Sequence, residues 1–264
     1  MEVKGDLRKM RTALKDKVEY TLTLGDESIL MNDLVGKEIT ISHTGTIHCV
    51  DCGKVTKKSF GQGFCFPCFQ KSPMNSECII RPELCEAHLG KGRNPEWEES
   101  HHNTEHYVYL AASSGVKVGV TRADQIPTRW IDQGASRGIL LAKVPYRQLA
   151  GEIEVALKEH ISDKTAWQRM LKNEQTDAEL EDLKEEMISY LDESYHDFIS
   201  DEDDVTEINY PVDEFPEKVK SNKLEKVGEI TGVLKGIKGQ YLIFDEGRVM
   251  NIRSHSGFEV ILKA

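Results

Sequence analysis

The segment 106-HYVYLAASSGVKVGVTR-122 decides the fold of the central part of the chain. Residues Tyr107–Ala111 and Val116–Val120 are both rich in apolar, β-prone residues, and the turn-forming residues Ser113–Gly115 separate them. Two such segments joined by a short turn that contains glycine are typical of an antiparallel hairpin. We therefore predict a hairpin here.

The residues that follow predict further regular structure. Pro127–Gly134 is typical of a short helix that begins at proline and ends at glycine, and Gly138–Val144 is an apolar strand that ends before Pro145. Apolar residues then recur every fourth position, which predicts an amphipathic helix with Leu149, Ile153, Leu157 and Ile161 on one face.

Both ends of the chain predict β structure. VEYTLTL and KEITISHTGTIHCV alternate apolar and polar residues, and the last 46 residues hold four strand-like runs that can join these N-terminal strands. We predict an α+β multidomain protein with antiparallel β modules at both ends. Its segments are an N-terminal β module (1–48), a cysteine-rich segment (49–104), a hairpin-containing domain (105–172), an acidic helix and linker (173–218) and a C-terminal β module (219–264).

The net charge of −11 has one source. Residues 173–218 hold 18 acidic and 2 basic residues, so the rest of the chain carries a charge of +5 and does not exclude a polyanionic ligand. Within the acidic segment, the capping pair Thr176 and Glu179 and a stripe of apolar residues predict a helix over 177–199, followed by an extended linker over 200–218.

We expect a cytoplasmic protein without a membrane partner. Its longest apolar runs are far below the roughly 18 residues that span a bilayer. The first ten residues are charged and contain no apolar core of a secretory signal.

Six cysteines lie between residues 49 and 85. Two CxxC pairs, separated by twelve residues, can place four thiolates around a structural zinc ion, and they are Cys49, Cys52, Cys65 and Cys68. The alternatives are disulfides or core thiols, and a reducing compartment disfavours the former. Cys78, Cys85 and His88 can form a second metal site with one of the paired histidines, His101 or His102, of which we take His102. The alternative is a cluster of unrelated surface histidines.

The order of residues in 105–172 resembles the GIY-YIG nuclease superfamily. By this resemblance Tyr109 matches the GIY tyrosine, Gly119 the YIG glycine, Arg129 the arginine of the first helix and Glu154 the metal-binding glutamate. The resemblance implies a three-stranded sheet flanked by helices and cleavage of phosphodiesters with a divalent metal, Mg²⁺ or Mn²⁺, at Glu154. Lys117 stands where the superfamily normally has the first tyrosine of YIG.

The chemistry of these residues agrees with that implication. A tyrosine can orient or deprotonate a nucleophile, an arginine can stabilise developing negative charge, and a carboxylate can bind a divalent cation. Tyr107 and Lys117 are further catalytic candidates. On a helical wheel Glu154 lies nearer the apolar stripe than Glu152 and is the better ligand. The alternative is that the tyrosines pack in a core and Arg129 lies on the surface.

Most of the chain also resembles an uncharacterised prokaryotic family, the domain-of-unknown-function family numbered 2797. The motifs that carry this resemblance include KSFGQGFCFPCF, IIRPELCEAHLG, QIPTRWIDQGA, DKTAWQRML and GIKGQYLIFDEGRVMNIRSHSGFEV. Where that family leads us to expect two further cysteines, this chain has Gly92 and His102, which shifts the second metal site towards histidine.

We therefore expect a zinc-containing protein that acts on nucleic acid, with one or two structural zinc ions and a possible GIY-YIG-like endonuclease activity. The alternative is a non-catalytic DNA- or RNA-binding protein with a degenerate GIY-YIG-like domain. The acidic segment can contact the basic face of its own chain or a protein partner. Candidate contacts to nucleic acid are Gly119, Arg122, Lys235, Lys238, Arg248 and Arg253.

Overall fold

The computed structural model describes residues 1–161 and 166–264, so the first residues of the DKTAWQRML motif lie outside the described part. It shows a mixed α+β chain with several antiparallel sheets. The described strands, in chain order, are β1 (Glu2–Asp6), β2 (Arg11–Ala13), β3 (Glu19–Leu24), β4 (Glu27–Leu30), β5 (Glu38–Ile47), β6 (His106–Ala112), β7 (Val116–Arg122), β8 (Arg137–Val144), β9 (Thr206–Glu207), β10 (Lys220–Ser221), β11 (Glu229–Lys238), β12 (Tyr241–Phe244), β13 (Arg248–Asn251) and β14 (Phe258–Lys263).

The described helices are short, and the longest has 12 residues. They are α1 (Phe66–Lys71), α2 (Pro95–His101), α3 (Thr128–Asp132), α4 (Arg147–Lys158), α5 (Trp167–Leu171), α6 (Leu180–Ser189) and α7 (Leu224–Val227). Among the described residues, no helix is both long and apolar enough to cross a membrane.

The chain divides into two compact units. The first unit comprises residues 1–70 and 208–264, and the second comprises residues 71–207. In the first unit, strands from both ends of the chain form one seven-stranded sheet in the order β1-β14-β5-β11-β12-β13-β10, and β2-β3-β4 form a smaller sheet. Because β5 pairs with β11 and β14, the N-terminal and C-terminal segments share one core.

The second unit is built on a four-stranded antiparallel sheet in the order β7-β6-β8-β9. The hairpin, the short helix after it, the third strand and the amphipathic helix are confirmed, with bounds that differ by a few residues. Ile161 lies beyond the end of α4 at Lys158 and so is not on its apolar face. Val108, Leu110 and Val118 pack on one face of the sheet against α4 and α6. Since side chains alternate along a strand, Tyr109 lies on the opposite face, where its ring meets that of Trp130 on α3 at a centroid distance of 6.1 Å.

The predicted continuous helix over 177–199 is wrong. The α-helix ends at Ser189, and a separate 3-10 helix follows at Glu193–Phe198. The break occurs because Asp192 adopts an extended conformation and its carboxylate accepts a hydrogen bond from the backbone N–H of Ser194 at 2.9 Å, which caps the second helix. Leu180 and Met187 of α6 are buried in the core of the second unit, so this part of the acidic segment is an integral part of the fold.

Candidate functional site

The four cysteines of the two CxxC pairs converge in the first unit. Their sulfur atoms lie within 4.8 Å of one another, and the Sγ atoms of Cys52 and Cys65 are 3.8 Å apart. Four sulfurs at the usual Zn–S bond length, placed tetrahedrally, are separated by about 3.8 Å, so this group has the dimensions of a zinc site.

Backbone hydrogen bonds fix the conformation of the first CxxC pair. The N–H of Cys49 donates to the carbonyl of Lys54, and the N–H of Gly53 donates to the carbonyl of Cys49, each at 2.9 Å. The N–H of Cys65 donates to the Cys49 sulfur at 3.2 Å. Burial opposes the charge on this sulfur, but the N–H groups of Cys52, Cys65 and Asp51 outweigh it and lower the pKa of Cys49 to about 6. Such a sulfur is readily available as a thiolate ligand.

A second group of four ligands lies in the second unit, and it consists of Cys78, Cys85, Glu98 and His102. The Nδ1 atom of His102 lies 3.7 Å from the Cys78 sulfur and 3.6 Å from the Cys85 sulfur. A tetrahedral zinc ion separates a sulfur and a nitrogen ligand by about 3.6 Å, so this group also fits zinc. The hydrogen bond between the two thiols lowers the pKa of Cys78 to about 4 and raises that of Cys85, so Cys78 is the thiolate of the pair.

Glu98 takes the position that the sequence assigned to His88. The His88 ring instead stacks on Tyr146, with centroids 4.6 Å apart, and is not in the ligand group. Glu98 and His102 are four residues apart, so α2 and its last turn present both on one side. That helical Glu-x3-His spacing is the sequence signal that identifies Glu98. A side chain at Gly92 would meet the Glu98 Cγ at 2.4 Å, so the glycine leaves the space that the glutamate fills.

A third cluster surrounds the hydroxyl of Tyr109. Gln133 Nε2 donates to this hydroxyl at 2.9 Å, and Arg129 Nε donates to it at 3.4 Å. Gly119 is paired with Tyr109 across the hairpin. The electrostatic influence of Tyr109 and its hydrogen bond, with weaker influences of Asp132 and Glu154, outweigh burial and raise the pKa of Arg129 above its usual value. The structure therefore brings Tyr109, Gly119 and Arg129 together. With Gln133 we call these residues the Tyr109 cluster.

Glu154 lies on α4 and is 9% exposed, while Glu152 is more exposed, as the helical wheel predicts. The Glu154 carboxylate pairs with the ammonium of Lys158 at 3.3 Å. The Glu154 charge is one of the weaker influences that raise the pKa of Arg129. Burial lowers the pKa of Arg147, and the Glu154 charge opposes that effect. The negative charge of Glu154 therefore acts on the arginine of the Tyr109 cluster.

The remaining catalytic candidates lie on the hairpin. Lys143 places its ammonium over the Tyr107 ring at 5.7 Å, and burial with a hydrogen bond to Glu105 raises the pKa of Tyr107. Lys117 is half-buried on β7, opposite Ala111. Of the two tyrosines, Tyr109 is the one bound by an arginine.

The predicted phosphate contacts have intramolecular partners. Arg122 pairs with Asp124, Lys235 with Glu214, Arg248 with Asp245, and Arg253 with Gln62. Lys238 is 1% exposed beneath the rings of Tyr210 and Phe215, at 5.2 and 5.4 Å. The expectation that Lys238 meets a phosphate on the surface is therefore corrected, because its ammonium lies inside the first unit.

The family model described as Protein of unknown function (DUF2797) matches residues 36–260, and the chain therefore belongs to this family. The match covers both ligand groups and the Tyr109 cluster. Neither a curated protein nor a solved structure matches the chain.

Proposed function

We propose that this chain is a zinc protein that acts on nucleic acid, and that the Tyr109 cluster with Glu154 cleaves phosphodiesters in the manner of the GIY-YIG nucleases. The observation that carries the proposal is the pair of N–H donors, from Arg129 and Gln133, on the hydroxyl of Tyr109. Two donors fix the phenol and stabilise negative charge on its oxygen. The three-stranded core β7-β6-β8 supports the proposal as well.

Each residue then has a defined role. Tyr109 orients the attacking nucleophile or accepts its proton, and Arg129 stabilises the charge that develops on the phosphate. Glu154 supplies an oxygen ligand for Mg²⁺ or Mn²⁺, which contributes Lewis-acid stabilisation of the phosphoryl oxygens when bound. Zinc in the two cysteine-containing groups serves the fold.

Cleavage of labelled DNA and RNA with Mg²⁺ or Mn²⁺ tests this proposal. Wild type should cleave, and Tyr109→Phe, Arg129→Ala and Glu154→Gln should each lose about 100-fold or more of the rate, as for other acid–base or electrostatic groups. Glu152→Gln is the matched control, because it removes a similar charge two residues away on the same helix. Equal rates in all five proteins would refute the proposal.

A second candidate function is binding of nucleic acid without cleavage. The burial of Tyr109, which is 0% exposed, favours this candidate, since a reacting phosphate must touch the phenol oxygen. Fluorescence anisotropy with a labelled oligonucleotide distinguishes the two. Binding that weakens steeply with salt, together with no cleavage in any divalent metal, supports the second candidate.

A further inference from the structure

The first residue of α4 is bound to the segment that carries the second ligand group. The backbone N–H of Arg147 donates to the carbonyl of His102 at 2.9 Å. The Arg147 guanidinium donates through Nε to the carbonyl of Cys78 at 2.9 Å and through Nη2 to that of Ile79 at 3.0 Å. Two of these three acceptors are the backbone carbonyls of metal-ligand residues.

A second contact joins α4 to the same segment one turn later. A Cβ at Gly151 would lie 2.2 Å from the backbone nitrogen of Glu83, so only glycine allows this approach. Glu83 lies in the 3-10 helix Pro82–Leu84, between the ligands Cys78 and Cys85. The helix that carries Glu154 therefore packs directly on the loop that a metal ion would close.

The loop that carries these ligands, between Pro73 and Leu89, contains only short helices and a small apolar core. Four 3-10 helices of three residues each make up its regular structure, between Pro73 and Leu89. Its buried apolar cluster consists of Cys78, Cys85 and Ala87, of which two are ligands. A segment with so small a core depends on its metal for a fixed conformation.

We propose that a zinc ion bound by Cys78, Cys85, Glu98 and His102 fixes the position of α4 through Arg147, and thereby holds Glu154 where its charge acts on Arg129. Arg147 is a positioning residue, because its contacts are with the ligand-bearing loop. The catalytic consequence rests on the proposed function, but the coupling between zinc and α4 does not. A cavity of about 370 Å³ has Cys78, Cys85 and Glu98 in its wall.

Hydrogen–deuterium exchange on the full chain, with zinc content measured by native mass spectrometry, tests the coupling. Cys85→Ser should lose one zinc ion and accelerate amide exchange in Arg147–Lys158 by about tenfold or more. Arg147→Ala should keep its zinc and accelerate exchange in the same peptide. Cys65→Ser, which disrupts the group in the other unit, should lose one zinc ion and leave this peptide unchanged. Arg81→Ala controls for removal of an exposed arginine from the same loop.

Unchanged exchange in α4 after the second zinc is lost would overturn the proposal. Loss of zinc from Arg147→Ala would also overturn it, because Arg147 would then be needed to build the metal site instead of transmitting its effect. Neither readout uses nuclease activity. A wild-type protein that cleaves nothing but shows these exchange changes refutes the proposed function and leaves the coupling intact.

Discussion

Gly119 lies directly opposite Tyr109 in the hairpin, and the tyrosine hydroxyl occupies the space where a side chain at residue 119 would begin. A Cβ there would lie 2.5 Å from the hydroxyl oxygen and 2.7 Å from the ring carbon Cζ. The absent side chain is what allows the phenol to lie against Gly119 with its hydroxyl within reach of Arg129 and Gln133.

We predict that Gly119→Ala lowers the free energy of unfolding by about 1–3 kcal/mol, because the added methyl displaces a buried ring from its hydrogen-bond donors. Urea unfolding of the zinc-loaded protein measures the change. Gly115→Ala is the matched control in the same hairpin, since its Cβ would meet nothing within 4 Å, and it should stay within about 0.5 kcal/mol of wild type. Equal stability of the two variants would contradict the close packing.

The hairpin and the four-cysteine group could be predicted because their signals are local. Ser113–Gly115 and Pro127 mark the turn and the helix start within a few residues, and CxxC spacing lets one tight turn bring its two sulfurs together. The helical period alone distinguishes Glu154, near the apolar stripe, from Glu152. The Arg129 contact with Tyr109 spans 20 residues and has no local signal, so the GIY-YIG resemblance selects the two residues without predicting their contact.

Features that depend on distant pairing were not predictable in this way. Lys238 looks exposed in sequence, but Tyr210 and Phe215 cover it after the chain returns to the first unit. Glu98 becomes a ligand only when α2 carries it to Cys78 and Cys85. The helix break at Asp192 interrupts an apolar stripe that is otherwise continuous, since a capping aspartate competes with helix continuation.

The fourth ligand of the second group can be identified by zinc content. Wild type should bind two zinc ions and Glu98→Ala one, because the variant removes a ligand atom from a buried group. His88→Ala should keep both ions, since its ring stacks on Tyr146 away from the group. Glu96→Ala on the same helix controls for loss of a carboxylate. One ion in His88→Ala and two in Glu98→Ala would reverse the assignment.

The burial of Lys238 predicts an unusual pH dependence of stability. Desolvation lowers the pKa of Lys238 to about 8, below its ordinary value of 10.5. Below pH 8 both states carry the proton, and the folded state bears the cost of the buried charge. Between pH 8 and 10.5 the unfolded state binds more protons, so the free energy of unfolding rises with pH in this window, by up to about 3 kcal/mol.

Lys238→Met should therefore be more stable than wild type at pH 7, and this difference should shrink as pH rises from 8 towards 10.5. Urea unfolding of the zinc-loaded proteins at pH 7 and pH 9.5 measures it. Lys226→Met, at an exposed position in the same unit, controls for the loss of one positive charge. A difference that does not change with pH would show that the ammonium is not desolvated in the folded protein.

The effect of the acidic segment on nucleic-acid binding is best tested by substitutions that remove its charges. Deletion of residues 173–218 would also remove Leu180 and Met187 from the core. The triple variant Glu181→Gln, Asp182→Asn and Glu185→Gln changes only exposed positions of α6. If these charges repel phosphates, an oligonucleotide should bind about 3–10-fold tighter at 50 mM salt, with the gain lost above about 0.5 M because salt screens the repulsion. The triple variant Asp16→Asn, Glu19→Gln and Glu27→Gln, at exposed positions of the other unit, removes the same three charges and controls for net charge. Equal gains in both variants would show a general charge effect, and no gain in either would show that the acidic face of α6 does not limit binding.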